Sequence, residues 1–412
     1  MALFDDKKKD KDPLKDLDGA DDQTSIIKLV DGLIESAQKN NASDIHLDPQ
    51  EDGILVRMRI DGILQDLYHV PKSIHSEVVS RLKILTGLRT DEHQMAQDGR
   101  FRHIFKDNTF VDIRVSVSPT YHGENVVLRL LSDKSQNYTL DSLGFSEADQ
   151  EKIKTAIKKP NGMVLATGPT GSGKTTTLYT LIKMLNSKEI SVLTIEDPIE
   201  YAIENVEQIQ VNPHAGLTFA NGLRTILRQD PNIIMVGEIR DPETATIAVN
   251  TALTGTLLLS SLHTNDAATT MPRLLEMGIE PYLVASTMNI AIAQRLVRKI
   301  CEHCKKEKKL TKAIVESLSH VQLSTPLKAG EVFFAGAGCT KCTGSGYAGR
   351  IGINEVLVVD QEVRDAILAR VPSGEIKKIA MKNGMTSMIE DGFNKARAGQ
   401  TTIEEVLRVV NE

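Results

Sequence analysis

A mixed α/β chain of more than one domain is the fold class this sequence predicts, and three observations carry that expectation. Its 412 residues exceed what one ordinary core encloses. Beyond Pro160, short apolar runs alternate with helical patterns, which indicates a mostly parallel sheet. Before Ser132 the helices and alternating strands are shorter and mixed, which reads as a small α+β domain.

The elements follow in order. Residues 1–23 mix Lys and Asp and offer almost nothing to bury, so a disordered charged tail is expected. The α+β domain spans 24–132. It opens at Ser25 with Ile26, Ile27, Val30, Leu33 and Ile34 at helix spacing. Alternation over Ile54–Ile60 closed by Asp61-Gly62 reads as a strand and tight turn. A second helix is expected near Ile74–Leu85, with strands near Arg100–Phe105, Thr109–Val117 and Asn125–Leu131. A polar linker occupies 133–140. A core of alternating strands and helices runs over 141–298, with strands at Met163–Ala166, Ser191–Ile195, Ile233–Val236 and Gly255–Ser260. A cysteine-bearing subdomain (299–345) and a helical C-terminal part (346–412) complete the chain.

Composition removes several function classes. A net charge of −6 gives no basic footprint, so a primary nucleic-acid binder is disfavoured. The longest apolar run, Leu283–Val297, is broken by Asn289, Gln294 and Arg295 and is too short to span a membrane. The N-terminus lacks the apolar core of a signal peptide, so a cytoplasmic protein is expected.

The sharpest signal is Gly168-Pro169-Thr170-Gly171-Ser172-Gly173-Lys174-Thr175, followed by Thr176. It follows an apolar strand and opens a helix, as a phosphate-binding P-loop requires. Its glycines let backbone N–H groups close around phosphates at a helix N-terminus. Lys174 would reach the β- and γ-phosphates of ATP, and Thr175 would ligate Mg²⁺. The alternative, an ordinary glycine turn, does not account for the strand before and the helix after.

Hydrolysis needs acids nearby, and two stand at the C-terminal ends of expected strands. Ile233–Val236 leads to Gly237-Glu238; the glycine stands where many P-loop enzymes carry a metal-binding Asp, which leaves Glu238 to polarise the attacking water. Glu196 is the second acid, for Mg²⁺ or the same water; Asp197 reads as a turn or cap. For both glutamates the alternative is a solvated carboxylate or helix cap. A third strand delivers His263, read as a γ-phosphate sensor although a lone histidine is more often structural.

The four cysteines form two C-x-x-C knuckles, Cys301/Cys304 and Cys339/Cys342, thirty-four residues apart. Two knuckles complete a tetrahedral S₄ shell suited to Zn²⁺, and a closed site of this kind is structural. Four unligated thiols are the alternative. His303 reads as a bystander.

These residues carry a family resemblance. Thr194-Ile-Glu-Asp-Pro-Ile-Glu-Tyr201, Val236-Gly-Glu-Ile-Arg-Asp241, Leu262-His-Thr-Asn-Asp-Ala267 and Ala293-Gln-Arg-Leu-Val-Arg298 resemble the secretion ATPase superfamily, in its GspE/PilB-like branch of type II secretion and type IV pilus assembly ATPases. So do Ala42–His46, Arg57–Gly62, Gln97–Arg100, Gly346–Arg350 and Gly384–Gly392. The resemblance implies a RecA-like P-loop domain preceded by a PAS-like α+β domain, with ATP held between them in a homohexamer. It implies a motor that acts on an inner-membrane platform protein from the cytoplasmic face, with a cytoplasmic adaptor domain as a further candidate partner. It also implies that Arg114 and Arg129 are arginine fingers, where the residues alone would read as the wet face of a strand.

Three departures stand out. Thr256 occupies the position of a second family histidine, Ala96 that of a proline, and only the charged tail precedes Ser25, where relatives commonly carry a further domain. Within the family, the cysteine knuckles resemble assembly and export ATPases and not retraction ATPases. The readings that follow are a motor ATPase, a nucleotide-responsive module with little hydrolysis, and the engine of a DNA-uptake pseudopilus.

Overall fold

The computed structural model describes residues 22–131, 138–319, 321 and 323–411. Residues 1–21 of the expected tail (1–23) and 133–137 of the expected linker (133–140) lie outside the described residues, while Asp22 already begins a helix and Leu140 is buried in a core. The chain divides into two compact units, one up to Ser135 and one from Gln136 onward.

The first unit contains α1 (Asp22–Lys39), β1 (Ala42–Pro49), β2 (Gly53–Ile60), β3 (Ile63–Pro71), α2 (His75–Thr86), β4 (Gln97–Ile104), β5 (Phe110–Thr120) and β6 (Gly123–Leu131). Its strands form one antiparallel sheet in the order β3-β2-β1-β6-β5-β4. Asp61 (φ 50°) and Gly62 (φ 88°) supply the two left-handed residues of the β2–β3 turn. Strand alternation divides the sheet into two faces. Val111, Ile113, Val115, Val117, Val126 and Leu128 join Leu29, Leu33 and Ile34 of α1 and Val79 and Leu82 of α2 in one core. Arginines and acids alternate with them on the opposite face. Strands β1 and β3 were not among the expected elements.

The second unit begins with α3 (Glu147–Ile157), β7 (Gly162–Thr167), α4 (Lys174–Leu185), β8 (Val192–Glu196), β9 (Glu207–Gln210), α5 (Phe219–Ile226), β10 (Ile233–Val236), α6 (Pro242–Leu253) and β11 (Leu257–Leu262). It continues through α7 (Thr270–Glu276), α8 (Pro281–Thr287), β12 (Met288–Ile300), β13 (Lys305–Lys309), α9 (Lys312–Ser317), β14 (Val332–Gly336) and β15 (Tyr347–Val358). It closes with α10 (Gln361–Leu368), α11 (Ser373–Lys382), α12 (Met388–Arg397) and α13 (Ile403–Asn411). Seven strands form the main sheet in the order β15-β12-β7-β11-β10-β8-β9, parallel except for β15 against β12.

Every residue of β7, β8, β10 and β11 is buried. Alternate residues feed two cores: Met163, Leu165, Ile234 and Val236 on one face, and Val164, Ala166, Ile233 and Met235 on the other. A parallel sheet covered on both faces needs such unbroken apolar strands. The broken apolar run Leu283–Val297 resolves into α8 and β12, and Asn289, Gln294 and Arg295 within it are buried and hydrogen-bonded. Within the stretch expected to be helical after residue 346, β15 is a strand of the main sheet. No helix among the described residues is long and apolar enough to cross a membrane.

Helix α13 is pinned to β12 by Glu405, whose buried carboxylate accepts from the Arg298 backbone N–H (3.2 Å), the Arg298 guanidinium (2.5 Å) and Arg408 Nε (3.0 Å). Burial pushes this carboxyl up, and the two guanidinium partners outweigh it and hold it near a pKa of about 2. A depressed carboxylate stabilises the fold above its ordinary pKa of about 4.3 and loses that contribution as pH falls towards 2. Glu405→Gln should therefore be less stable than the parent at pH 7 by about 1–2 kcal/mol, with the gap narrowing between pH 4.5 and 2.5 in thermal unfolding.

Candidate functional site

Strand β7 ends at Thr167, and the chain turns at Gly168 (φ 140°). A Cβ there would lie 2.4 Å from the Gln294 carbonyl oxygen and 2.7 Å from Ser172 Oγ, so no side chain is tolerated. Gly173 (φ 98°) precedes the first turn of α4 and offers no side-chain cap. The first-turn N–H groups are thereby left for an anion. Lys174 Nζ donates to the carbonyls of Gly168 (2.8 Å) and Pro169 (2.9 Å), so the lysine folds across the loop it serves. Burial lowers its pKa and the Glu238 carboxylate opposes that shift. Ser172 Oγ and Thr177 Oγ1 are buried and have no hydrogen-bond partner among the described residues. Pro169, Thr170, Gly171 and Thr175 are exposed, with Thr176 half-buried behind them.

Strand β11 lies directly beside β7, and its C-terminal continuation meets the end of that strand. The Thr264 N–H donates to Thr167 Oγ1 (3.0 Å), and the two hydroxyls are hydrogen-bonded. This fixes His263. Its Nε2 lies 3.1 Å from Glu238 Oε2, while Arg240 reaches Glu238 Oε1 at 2.6 Å. The Gly237 N–H donates to the Ile195 carbonyl (2.8 Å), and the Ser261 hydroxyl to the Gly237 carbonyl (2.7 Å). The neighbouring strands on both sides thus hold the turn that carries Glu238.

Glu196 sits elsewhere. It is buried and accepts from Tyr179 Oη, Thr194 Oγ1 (2.6 Å) and Gln208 Nε2 (3.1 Å), none of them charged. The Glu200 N–H donates to the same tyrosine oxygen at 3.3 Å, and burial next to Glu196 raises the Tyr179 pKa far above its usual value. The structure therefore joins Glu238 with His263 and Arg240, and gives Glu196 a separate cluster shared with the P-loop helix. Arg240 and Tyr179 were not predicted. The spacing Glu238-x-Arg240 was the available signal for the first, and nothing in sequence marked the second.

Arg114 and Arg129 belong to the first unit, directly opposite each other on β5 and β6. Arg129 Nε donates to Asp44 Oδ1 at 2.9 Å.

The four cysteine sulfurs lie within 4.8 Å of one another, with Cys301–Cys339 at 3.9 Å, Cys304–Cys342 at 3.8 Å and Cys339–Cys342 at 3.7 Å. A tetrahedral ion with bonds of about 2.3 Å separates its sulfurs by about 3.8 Å, so this donor set fits Zn²⁺. Burial pushes the Cys342 thiol up, and N–H donors from Cys339 (3.2 Å) and Gly346 (3.3 Å) more than offset it, to about 6. A thiolate is thus favoured before any ion arrives. His303 faces Lys341 Nζ at 3.1 Å and lies outside the sulfur set.

Residues 19–408 match the family described as Type II/IV secretion system protein. The chain belongs to that family. Among curated members of the Type II/IV secretion system protein family, it is 46% identical over 387 residues to the type IV pilus assembly ATPase PilB of Thermus thermophilus, covering 94% of this chain and 43% of that one. It is 45% identical over 390 residues to the type II secretion system protein E of Xanthomonas campestris pv. campestris, covering 95% of this chain and 68% of that one. The chain therefore spans less than half of the first relative and about two thirds of the second. Among solved structures, the fold is similar to the Legionella pneumophila ATPase DotB (TM-score 0.68, 23% identity, 92% of this chain and 94% of that one). It is also similar to the pilus retraction motor PilT (TM-score 0.60, 23% identity, 91% and 95%).

Because Gly168 combines a left-handed backbone with a 2.4 Å approach, Gly168→Ala should destabilise the second unit by at least about 2 kcal/mol in denaturant unfolding.

Proposed function

We propose that this protein is a motor ATPase that hydrolyses ATP to drive assembly of a type IV pilus or type II secretion pseudopilus. The single observation that carries this reading is the acid–imidazole pair Glu238–His263, on the same strand edge as the phosphate loop and tied to it through Thr264 and Thr167. Residues 168–176 bind the triphosphate, with Lys174 exchanging its two loop carbonyls for phosphate oxygens. Thr175 holds Mg²⁺, which when bound neutralises charge developing on the β- and γ-phosphates. Glu238 takes the proton of the attacking water, and its contacts with Arg240 and His263 orient the carboxylate. His263 reports the γ-phosphate to the β11 edge. Glu196 acts as the second acid, reaching water or Mg²⁺ when the Tyr179 hydrogen bond opens. Arg114 and Arg129 supply guanidinium charge to the phosphates.

The same reading makes the protein a homohexamer, peripheral on the cytoplasmic face of the inner membrane, working on a platform protein there. Relatives named for pilus assembly and for type II secretion support both machines equally. The cysteine shell holds Zn²⁺ as a closed structural site.

Two measurements check this. Glu238→Gln should lower kcat for phosphate release by at least about 100-fold while nucleotide binding persists; unchanged turnover would defeat the assignment. Elemental analysis should give about one zinc per chain, lost in Cys304→Ser together with stability of the β13–β14 hairpin.

A further inference from the structure

The loop that follows His263 is fastened to the end of the main sheet along a single row of residues. Thr167 on β7 is paired with Ala293 on β12, and Ala293 is paired with Glu355 on β15. Residues paired across adjacent strands share a face, so Thr167 and Glu355 flank Ala293 two strand spacings, or about 10 Å, apart. Ala293, between them, is buried and carries only a methyl. Each end of the row takes a backbone N–H from the same loop. Thr167 Oγ1 accepts from Thr264 (3.0 Å), and Glu355 Oε1 accepts from Ala267 (3.1 Å). The imidazole that meets Glu238 at 3.1 Å therefore stands at the start of a loop held at two points.

The second fastening is charged where the first is neutral. Glu355 is fully buried, and its two oxygens have different partners. Oε1 takes the loop, while Oε2 takes Lys377 Nζ (3.0 Å) from α11 and the Met388 N–H (3.3 Å) at the start of α12. Lys377 Nζ also lies 3.4 Å from Asp266 Oδ2, inside the loop. Asp266 Oδ1 in turn accepts from the Thr269 N–H at 2.8 Å, which closes the loop ahead of α7. A buried carboxylate is costly without a counter-ion, and Lys377 supplies one, so the second anchor of the loop depends on α11. The acid–imidazole pair at the ends of β10 and β11 is thereby tied to the C-terminal helices.

We infer that Glu355 and Lys377 are positioning residues for ATP hydrolysis: they fix the Asp266–Ala267 end of the loop, and through it the direction from which His263 meets Glu238. This rests on the proposal that Glu238 and His263 act on the nucleotide, and extends it to two residues that neither motif nor resemblance singled out. The Thr167 contact holds only one end of the loop. Loss of the charged end leaves the phosphate loop intact and frees the imidazole to shift, and a misplacement of about 1 Å is enough to cost about 100-fold in rate.

Steady-state phosphate release by the full-length protein tests this, with thermal unfolding measured on the same samples. Lys377→Met should lower kcat about tenfold or more with KM for ATP changed by less than about twofold, and Lys377→Arg should recover most of the loss. Because the lysine acts through the imidazole, Lys377→Met should cost less than about twofold when added to His263→Ala. If Lys377→Met does not fold, Lys377→Met/Glu355→Gln, which leaves no unpaired buried charge, carries the same comparison. The neighbouring Lys378, exposed and paired with Glu375, is the control, and Lys378→Met should change kcat by less than about twofold. Parental kcat in Lys377→Met overturns the inference. So does a loss confined to KM, or a loss of the same size with and without His263. Unchanged turnover in Glu238→Gln would instead defeat the hydrolysis reading, whatever Lys377→Met does.

Discussion

Gly168 can have no side chain because the Gln294 carbonyl of the neighbouring strand occupies its place, and the rest of the second unit is arranged around that approach. Strand β7 is clamped between β12 on one side and β11 on the other over nearly its whole length. The phosphate loop therefore leaves the sheet at a point fixed by three strands. Its polar groups are poised, not satisfied: Lys174 borrows two loop carbonyls, and Ser172 has a buried hydroxyl with no partner. A ligand rich in anionic oxygens answers both.

Next to this cradle the acids are treated in opposite ways. Glu238 has two cationic or titratable neighbours and a partly accessible carboxylate. Glu196, one strand over, is enclosed with hydroxyl and amide donors alone. Three neutral hydrogen bonds offset much of the cost of a buried carboxylate without giving it a counter-ion. The Tyr179 hydroxyl comes from the helix that begins at the phosphate loop, so the carboxylate at the end of β8 is linked to that loop through α4.

Much of this was legible in the sequence. The strands β7, β8, β10 and β11 announce themselves because a sheet covered on both faces demands unbroken apolar runs, and the P-loop string fixes the turn after β7. The sulfur shell was equally plain, since cysteine spacing alone sets the donor number. Strand β12 was not, because its buried Asn289, Gln294 and Arg295 look like interruptions until their partners, Asn161, Asn354 and Val409, are brought from distant parts of the chain. Tyr179 was illegible for a related reason: a tyrosine in an apolar helix gives no hint that its hydroxyl meets a carboxylate one layer away.

Strand β12 is one unbroken piece of chain from the phosphate loop to the sulfur cluster. Ala293 pairs with Thr167 at one end, and Cys301 follows Ile300 at the other, eight residues or about 27 Å away. Along that length it is stitched to β15 on its far edge, and Glu405 grips it at Arg298. Its register with β15 shifts between Arg298 and Ile300, so the strand bulges just ahead of the first cysteine. The first cysteine pair therefore takes its direction from the strand that borders the phosphate loop, turned through the bend at that bulge.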